Sequence, residues 1–131
     1  MRVWVKAITK VAPKTVSAFL SKFEKQRVGG GAWESSQHNE LVQLTWAGSD
    51  TTEIKLSTAF PQFVNVLHIN EKDNVITFWK AGMPLSLRDF FKTVTTYRLT
   101  VSVIADEVTS ETTFEVVWRG QWNTIEVRPL G

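Results

Sequence analysis

The sequence predicts an all-β domain, folded as a two-sheet antiparallel sandwich of eight or nine strands with room for one short helix. Short runs rich in Val, Ile, Thr and aromatic residues follow one another along the 131 residues, and these residue types favour strands. Turn residues separate the runs at intervals of about 8–12 residues, which is typical of sandwiches. With 43% hydrophobic and 21% charged residues, one domain spanning residues 1–131 can bury its own core.

The predicted strands follow one another from the N-terminus. Each is rich in β-branched or aromatic residues and ends near a Gly, Pro, Asn or Asp. In chain order they are residues 2–9, 41–48, 52–60, 63–70, 75–80 and 97–106, then a turn at 107–111 and a closing hairpin at 113–128. Residues 85–96 are expected to hold a helical turn or an edge crossover.

Residues 15–24 fit two structures. The helical spacing i, i+3, i+4, i+7 fits Val16, Phe19, Leu20 and Phe23. By contrast, Val16, Ala18 and Leu20 alternate as they would in a strand. Helix propensity therefore favours a helix for this segment, whereas the alternation favours a strand. Because the rest of the chain is rich in strands, we interpret residues 15–24 as a strand.

Residues 63–70 carry apolar side chains on both faces, which predicts a strand in the middle of a sheet. His68 alternates there with Val64 and Val66. This position predicts a half-buried, hydrogen-bonded histidine rather than a metal ligand.

The closing hairpin, residues 113–128, allows a prediction from strand register. Side chains alternate with a period of two, so a loop of two or four residues brings Ile125 and Val127 to the buried face with Trp118. A loop with an odd number of residues would expose Ile125 and Val127, and the lost burial would cost about 1.5–3 kcal/mol of stability for each side chain. The even loop predicts Trp118 in the core, Trp122 on the outside and no helix within residues 97–127.

An outward Trp122 beside Arg119 and Gln121 forms the candidate binding site. Tryptophan and arginine are the side chains that most often anchor protein interfaces. The alternative is that Trp122 folds flat over the end of the sheets or against the loop that begins at Gly29–Gly31. Both interpretations fit the sequence.

The sequence contains no motif that indicates catalysis or a metal site. It has no cysteine, which excludes disulfides and thiolate ligands. His38 lies in a polar loop with Glu34 and Glu40, but neighbouring loop residues rarely hold the geometry of a catalytic triad. The turn aspartates stand singly, at Asp50, Asp73, Asp89 and Asp106. We therefore predict a protein that is not an enzyme and needs no cofactor or metal.

The net charge of +2 is unevenly distributed. Residues 1–30 carry seven Lys/Arg and one Glu, and residues 31–131 carry eight Lys/Arg and twelve Asp/Glu. The basic residues of the N-terminal segment are spaced rather than clustered, which favours a solvated edge strand over a nucleic-acid surface.

No apolar run approaches the roughly 18 residues of a membrane span, and charges interrupt the N-terminus where a signal peptide would be apolar. We expect a cytoplasmic protein or a soluble module of a larger one.

Both ends of the chain resemble a known kind of module. The segment YRLTVSVIADEVTSETTFEVVWRGQWNTIEV, residues 97–127, resembles the final strands of Ig-like β-sandwich modules found as accessory parts of bacterial multidomain proteins, and VWVKAITKVAPKTVSAFL, residues 3–20, resembles their opening strands. Lys10–Pro13 departs from the short polar turn that these modules have there. The resemblance implies an Ig-like sandwich with no catalytic residue to transfer.

The sequence thus predicts a non-catalytic module that binds a protein partner, or other domains of a larger chain, through Trp122, Arg119 and Gln121. The alternatives are a C2-like domain that binds lipid or calcium, and a small ligand-binding or enzymatic β-domain with a pocket around His38. The identity of the partner and the oligomeric state are not predicted.

Overall fold

The computed structural model describes residues 2–5, 14–36, 41–48, 51–56, 62–78, 85–105 and 108–130. The fold is an all-β sandwich of antiparallel sheets, as predicted. The strands are β1 (Arg2–Val5), β2 (Lys14–Gln26), β3 (Trp33–Ser35), β4 (Val42–Gln43), β5 (Thr45–Trp46), β6 (Glu53–Leu56), β7 (Gln62–Asn65), β8 (Leu67–Asn70), β9 (Val75–Phe78), β10 (Thr96–Ala105), β11 (Val108–Val117) and β12 (Glu126–Pro129). The helix α1 spans Leu85–Phe90, within the segment 85–96 where a helical turn was one expectation, and a 3-10 turn spans Trp122–Thr124.

These twelve strands exceed the eight or nine predicted. The short β3 adds one, and the predicted strands 41–48 and 63–70 are each divided in two.

The larger sheet has the order β12-β11-β10-β2-β3. Its long strand β2 pairs with β10 on one side and with β6, β4 and β3 in succession on the other. The prediction that residues 15–24 form a strand is therefore confirmed.

A β-bulge at Ser21 explains why residues 15–24 have helix-like spacing. Thr100 pairs with Lys22, but the next residue of β10, Val101, pairs with Leu20, so Ser21 is an extra residue in β2. The bulge shifts the alternation by one residue. Buried positions are therefore even-numbered as far as Leu20 and include Phe23 beyond it, so the buried Val16, Leu20 and Phe23 have the spacing of a helix face. Phe19, which also fits that spacing, is only half-buried.

The second layer of the sandwich consists of a three-stranded sheet, β1-β7-β5, and the two-stranded sheet β8-β9. The chain passes from the larger sheet to this layer at Leu44, whose backbone N–H donates to the Ala18 carbonyl (2.9 Å). Buried side chains from both layers form one hydrophobic core: Val16, Ala18, Leu20, Phe23, Val42, Leu44, Trp46, Val64, Val66, Leu67, Ile76, Leu87, Phe90, Phe91, Tyr97, Leu99, Val101, Val116 and Trp118.

The predicted central strand 63–70 is interrupted at Val66. Its first part, β7, is the middle strand of the three-stranded sheet, as expected, but its second part, β8, has β9 as its one partner among the described strands. Val66 and Leu67 are both buried, so the alternation changes phase between them. His68 consequently faces solvent, and the prediction that it is half-buried is wrong.

One end of the core is closed by the turn that follows α1. The Tyr97 side chain is fully buried against the rings of Phe90 and Phe91, with centroids 5.6 and 5.0 Å away. Its hydroxyl donates to the carbonyls of Phe90 (3.1 Å) and Thr93. Lys25 reaches the same turn, where its Nζ donates to Thr93 Oγ1 (3.1 Å) and lies 5.0 Å from the centre of the Phe90 ring.

A row of charges crosses the outer face of the larger sheet. The strand register aligns Glu24, Arg98, Glu115 and Arg128 side by side, with alternating sign. Both arginines bind Glu115, with N···O distances of 3.2 and 3.5 Å. The Arg98 guanidinium also lies 3.8 Å from the centre of the Trp33 ring. Charge pairing and a cation–π contact thus link neighbouring strands across this face.

The turn predicted at residues 107–111 is shorter than expected. Ala105 pairs directly with Val108, and residues 108–111 belong to β11. Because Val and Thr favour extended backbone, the strand continues into the segment that was interpreted as a turn.

Within the described ranges, no helix has the length and apolar character needed to cross a membrane.

Candidate functional site

The candidate site lies on the closing loop, residues 118–125, which connects β11 to β12. Val117 pairs with Glu126 and Val116 with Val127, so the loop has an even number of residues, as predicted, but it is eight residues long rather than two or four. The prediction of an even number of loop residues is confirmed, and the predicted loop length is wrong. Part of the loop forms the 3-10 turn Trp122–Thr124, so the prediction of no helix within residues 97–127 is also wrong.

The two tryptophans of the loop differ sharply in exposure. The Trp118 side chain is 3% exposed and belongs to the core, whereas Trp122 is 46% exposed. Both positions agree with the prediction. The 3-10 turn, and not strand alternation, sets the direction of Trp122.

Ile125 packs against the core, as predicted, but Val127 is 40% exposed. Val127 lies opposite the buried Val116, so its face is the predicted one. However, all four residues of β12 are exposed, and this strand is the edge of the larger sheet. The prediction that Val127 is buried is wrong.

Four hydrogen bonds fix the backbone of the closing loop. The Trp118 N–H donates to the Thr95 carbonyl (3.0 Å), and the Trp122 N–H donates to Asn74 Oδ1 (3.0 Å) in the turn between β8 and β9. Within the loop, the N–H and the Oγ1 of Thr124 both donate to the Gln121 carbonyl (3.1 and 2.9 Å). The loop that carries Trp122 is therefore held by hydrogen bonds, and at Trp122 its backbone contacts the β8–β9 hairpin rather than the Gly29–Gly31 loop.

Arg119 and Gln121 flank Trp122 and are both exposed. The Arg119 guanidinium donates to the Thr124 carbonyl (2.9 Å) and lies 3.3 Å from a Glu126 carboxylate oxygen. Its positive charge is thus balanced within the molecule, and its side chain braces the loop.

Two exposed valines lie near this loop. Val94 is next to Gly120, where an added Cβ would approach Val94 Cγ2 to 3.4 Å, and Val75 directly follows Asn74, the residue that binds the Trp122 backbone. Trp122, Val94 and Val75, here called the Trp122 patch, are exposed apolar side chains at the same end of the molecule. Sequence reasoning missed both valines, which lie 28 and 47 positions before Trp122.

The other residues considered from the sequence do not form a site in the described structure. His38, Glu40, Asp50 and Asp106 lie outside the described residues, whereas Glu34 forms ion pairs with Lys25 (3.9 Å) and Arg27 (3.8 Å). Asp73 lies in the exposed turn before β9, and Asp89 pairs with Lys92 (3.1 Å). In the part of the chain that the structure describes, no three His, Asp or Glu side chains are grouped so that they could hold a metal ion.

The geometry of the closing loop therefore offers an apolar surface and no reactive group. Comparison of the chain with protein-family models, with curated proteins and with solved structures gave no match, so the resemblance to Ig-like accessory modules stays a prediction.

Proposed function

We propose that this chain is a non-catalytic binding or scaffolding module that contacts a protein partner through Trp122, with Arg119 and Gln121 beside it. The partner is a separate chain or a neighbouring domain. The observation that supports the proposal best is the 46% exposure of Trp122 on a loop fixed by hydrogen bonds to Thr95 and Asn74. An aromatic anchor on a fixed backbone loses less entropy on binding than one on a mobile loop, and such residues dominate interface energies.

The surroundings of Trp122 favour an apolar partner surface over an acidic one. Arg119 already has Glu126 as its counter-ion, so it gains little from a second carboxylate. Val94 and Val75 extend the apolar surface at the same end of the molecule. Binding through this surface should bury apolar area and should weaken only slightly as salt is added.

The test compares two substitutions of exposed apolar residues. Trp122→Ala removes the proposed anchor, and Val28→Ser, at the tip of the β2–β3 hairpin, is the matched control because Val28 is 80% exposed. A protein captured by the wild type would be purified and titrated against all three proteins. We expect Trp122→Ala to weaken binding at least about tenfold and Val28→Ser to leave it unchanged.

Thermal unfolding of the free proteins separates a surface role from a structural one. We expect Trp122→Ala to change the free energy of unfolding by no more than about 1 kcal/mol. A loss above about 3 kcal/mol would identify Trp122 as part of the core. Equal binding by the wild type and Trp122→Ala would rule out the proposed surface.

A further inference from the structure

Half of β11 has an open edge. On the side away from β10, β12 pairs with residues 114–117, and the Leu130 N–H donates to the Thr113 carbonyl (2.9 Å). Within the described ranges, no strand pairs with residues 108–112 on that side. The described side chains of this half, residues 109–112, are all exposed.

The hydrogen bonds of β11 show which backbone groups face the open side. Along an antiparallel strand, the N–H and C=O of successive residues point alternately to the two neighbours. Trp118 uses its N–H towards β10, and Thr113 uses its carbonyl towards β12. Even-numbered residues therefore face β10, and the N–H and C=O groups of Thr109 and Glu111 face outward.

The open edge has few of the devices that prevent strands from associating. Natural edge strands are protected by Lys, Pro, bulges or a covering segment. The neighbouring edge strand β12 contains Pro129 and Arg128, whereas the open edge reads Val108-Thr-Ser-Glu-Thr112, with a single charge and no proline. Valine and threonine favour extended backbone. This segment is a template for one more strand.

We propose that the open edge pairs with the same edge of a second copy of this chain, in an antiparallel ribbon whose two-fold axis passes through Ser110. In that register, Thr109 of each copy lies opposite Glu111 of the other. All four outward backbone groups of each edge are used, which gives four hydrogen bonds between N–H and C=O groups. The larger sheets of the two copies become continuous.

The segment is complementary to itself only in this register. Moving the axis to Glu111 places the two carboxylates directly opposite each other, which is unfavourable. Moving it to Thr109 leaves only one pair of outward residues opposed within residues 108–112. The open part of the edge is also centred on Ser110. It begins with β11 at Val108 and ends before Thr113, where Leu130 and β12 occupy the edge.

Self-association through this edge is weak and depends on concentration. A ribbon of five residues per chain buries much less surface than the roughly 1,200–2,000 Å² of stable complexes. The interface is isologous, so assembly stops at two copies instead of growing into a fibre.

Sedimentation equilibrium across a concentration series, from micromolar to millimolar, measures the association. We expect the average mass to rise from one chain towards two. We also expect the amide protons of Thr109 and Glu111 to exchange more slowly with solvent as the concentration rises, while the amide of Ser110, which faces β10 in the single chain, changes less.

Two variants test the register. Glu111→Pro removes an outward N–H that pairs with no strand of the described residues, and Ser110→Lys brings two ammonium groups together at the two-fold axis. We expect both to abolish the rise in mass, whereas Glu111→Thr, which keeps the N–H, retains it. Because Ser110 is exposed, Ser110→Lys still decides the question if Glu111→Pro unfolds.

A wild type that remains a single chain up to millimolar concentration overturns the proposal. A dimer that persists in Ser110→Lys also overturns it, because the contact must then lie elsewhere.

Discussion

Removing the hydroxyl of Tyr97 tests how the end of the core is closed. In Tyr97→Phe the ring keeps its packing against Phe90 and Phe91, but the carbonyls of Phe90 and Thr93 lose their donor. A buried acceptor left without a partner costs about 1–3 kcal/mol. The Lys25 Nζ also lies 3.5 Å from the Phe90 carbonyl, so we expect a loss near the lower end, about 1–2 kcal/mol.

The same substitution should change how stability depends on pH. Burial raises the pKa of the Tyr97 hydroxyl well above its ordinary value of 10.0. The unfolded chain releases this proton near pH 10.0, whereas the folded chain retains it. Stability conferred by Tyr97 is therefore fully present below pH 10 and falls as the pH rises above it, by up to about 1.4 kcal/mol per pH unit. Tyr97→Phe lacks this contribution.

Urea unfolding of the wild type and Tyr97→Phe at pH 7 and at several values above pH 10 measures both effects. All other residues are common to both proteins, so the difference between their stabilities isolates Tyr97. Because Tyr97 is the only tyrosine, ultraviolet absorbance of tyrosinate reports its ionisation directly. Equal stability at pH 7 together with equal alkaline slopes would refute the reasoning.

Three further substitutions have definite expected outcomes in urea unfolding. Trp118→Ala should lose about 3–5 kcal/mol, because it empties a buried site; a loss below about 1 kcal/mol would contradict its place in the core. Gly120→Ala should lose about 1–2 kcal/mol, since φ is 87° there, and no loss would show that the loop relaxes. Arg98→Lys should lose about 1 kcal/mol, because the guanidinium no longer lies over the Trp33 ring. The control makes the same substitution in a Trp33→Leu background. An equal loss in that background would exclude the Trp33 contact as the cause.

The fold class was predictable because strand composition and turn spacing are local properties of the sequence. The bulge at Ser21 was not, because it is defined by the partner strand: only the register against Thr100 and Val101 shows that Ser21 is extra. A helix-like spacing inside a chain otherwise rich in strands can therefore indicate a bulged strand.

The candidate site was predictable in part. Parity arguments correctly separated Trp118 from Trp122, since they depend only on which residues must be buried. They did not give the loop length, because Asn74 stabilises the longer loop from another part of the chain. Val127 was misplaced because alternation gives the face of a strand but not whether another layer covers that face.

The hydrogen bond that the Trp122 N–H donates to Asn74 Oδ1 joins a turn of one layer to a loop of the other. A partner that holds Trp122 would consequently restrain both sheets at once. Sliding of one sheet over the other would strain this hydrogen bond and would move the loop that carries the indole. The affinity of a partner for the Trp122 patch would then depend on how the two layers are aligned.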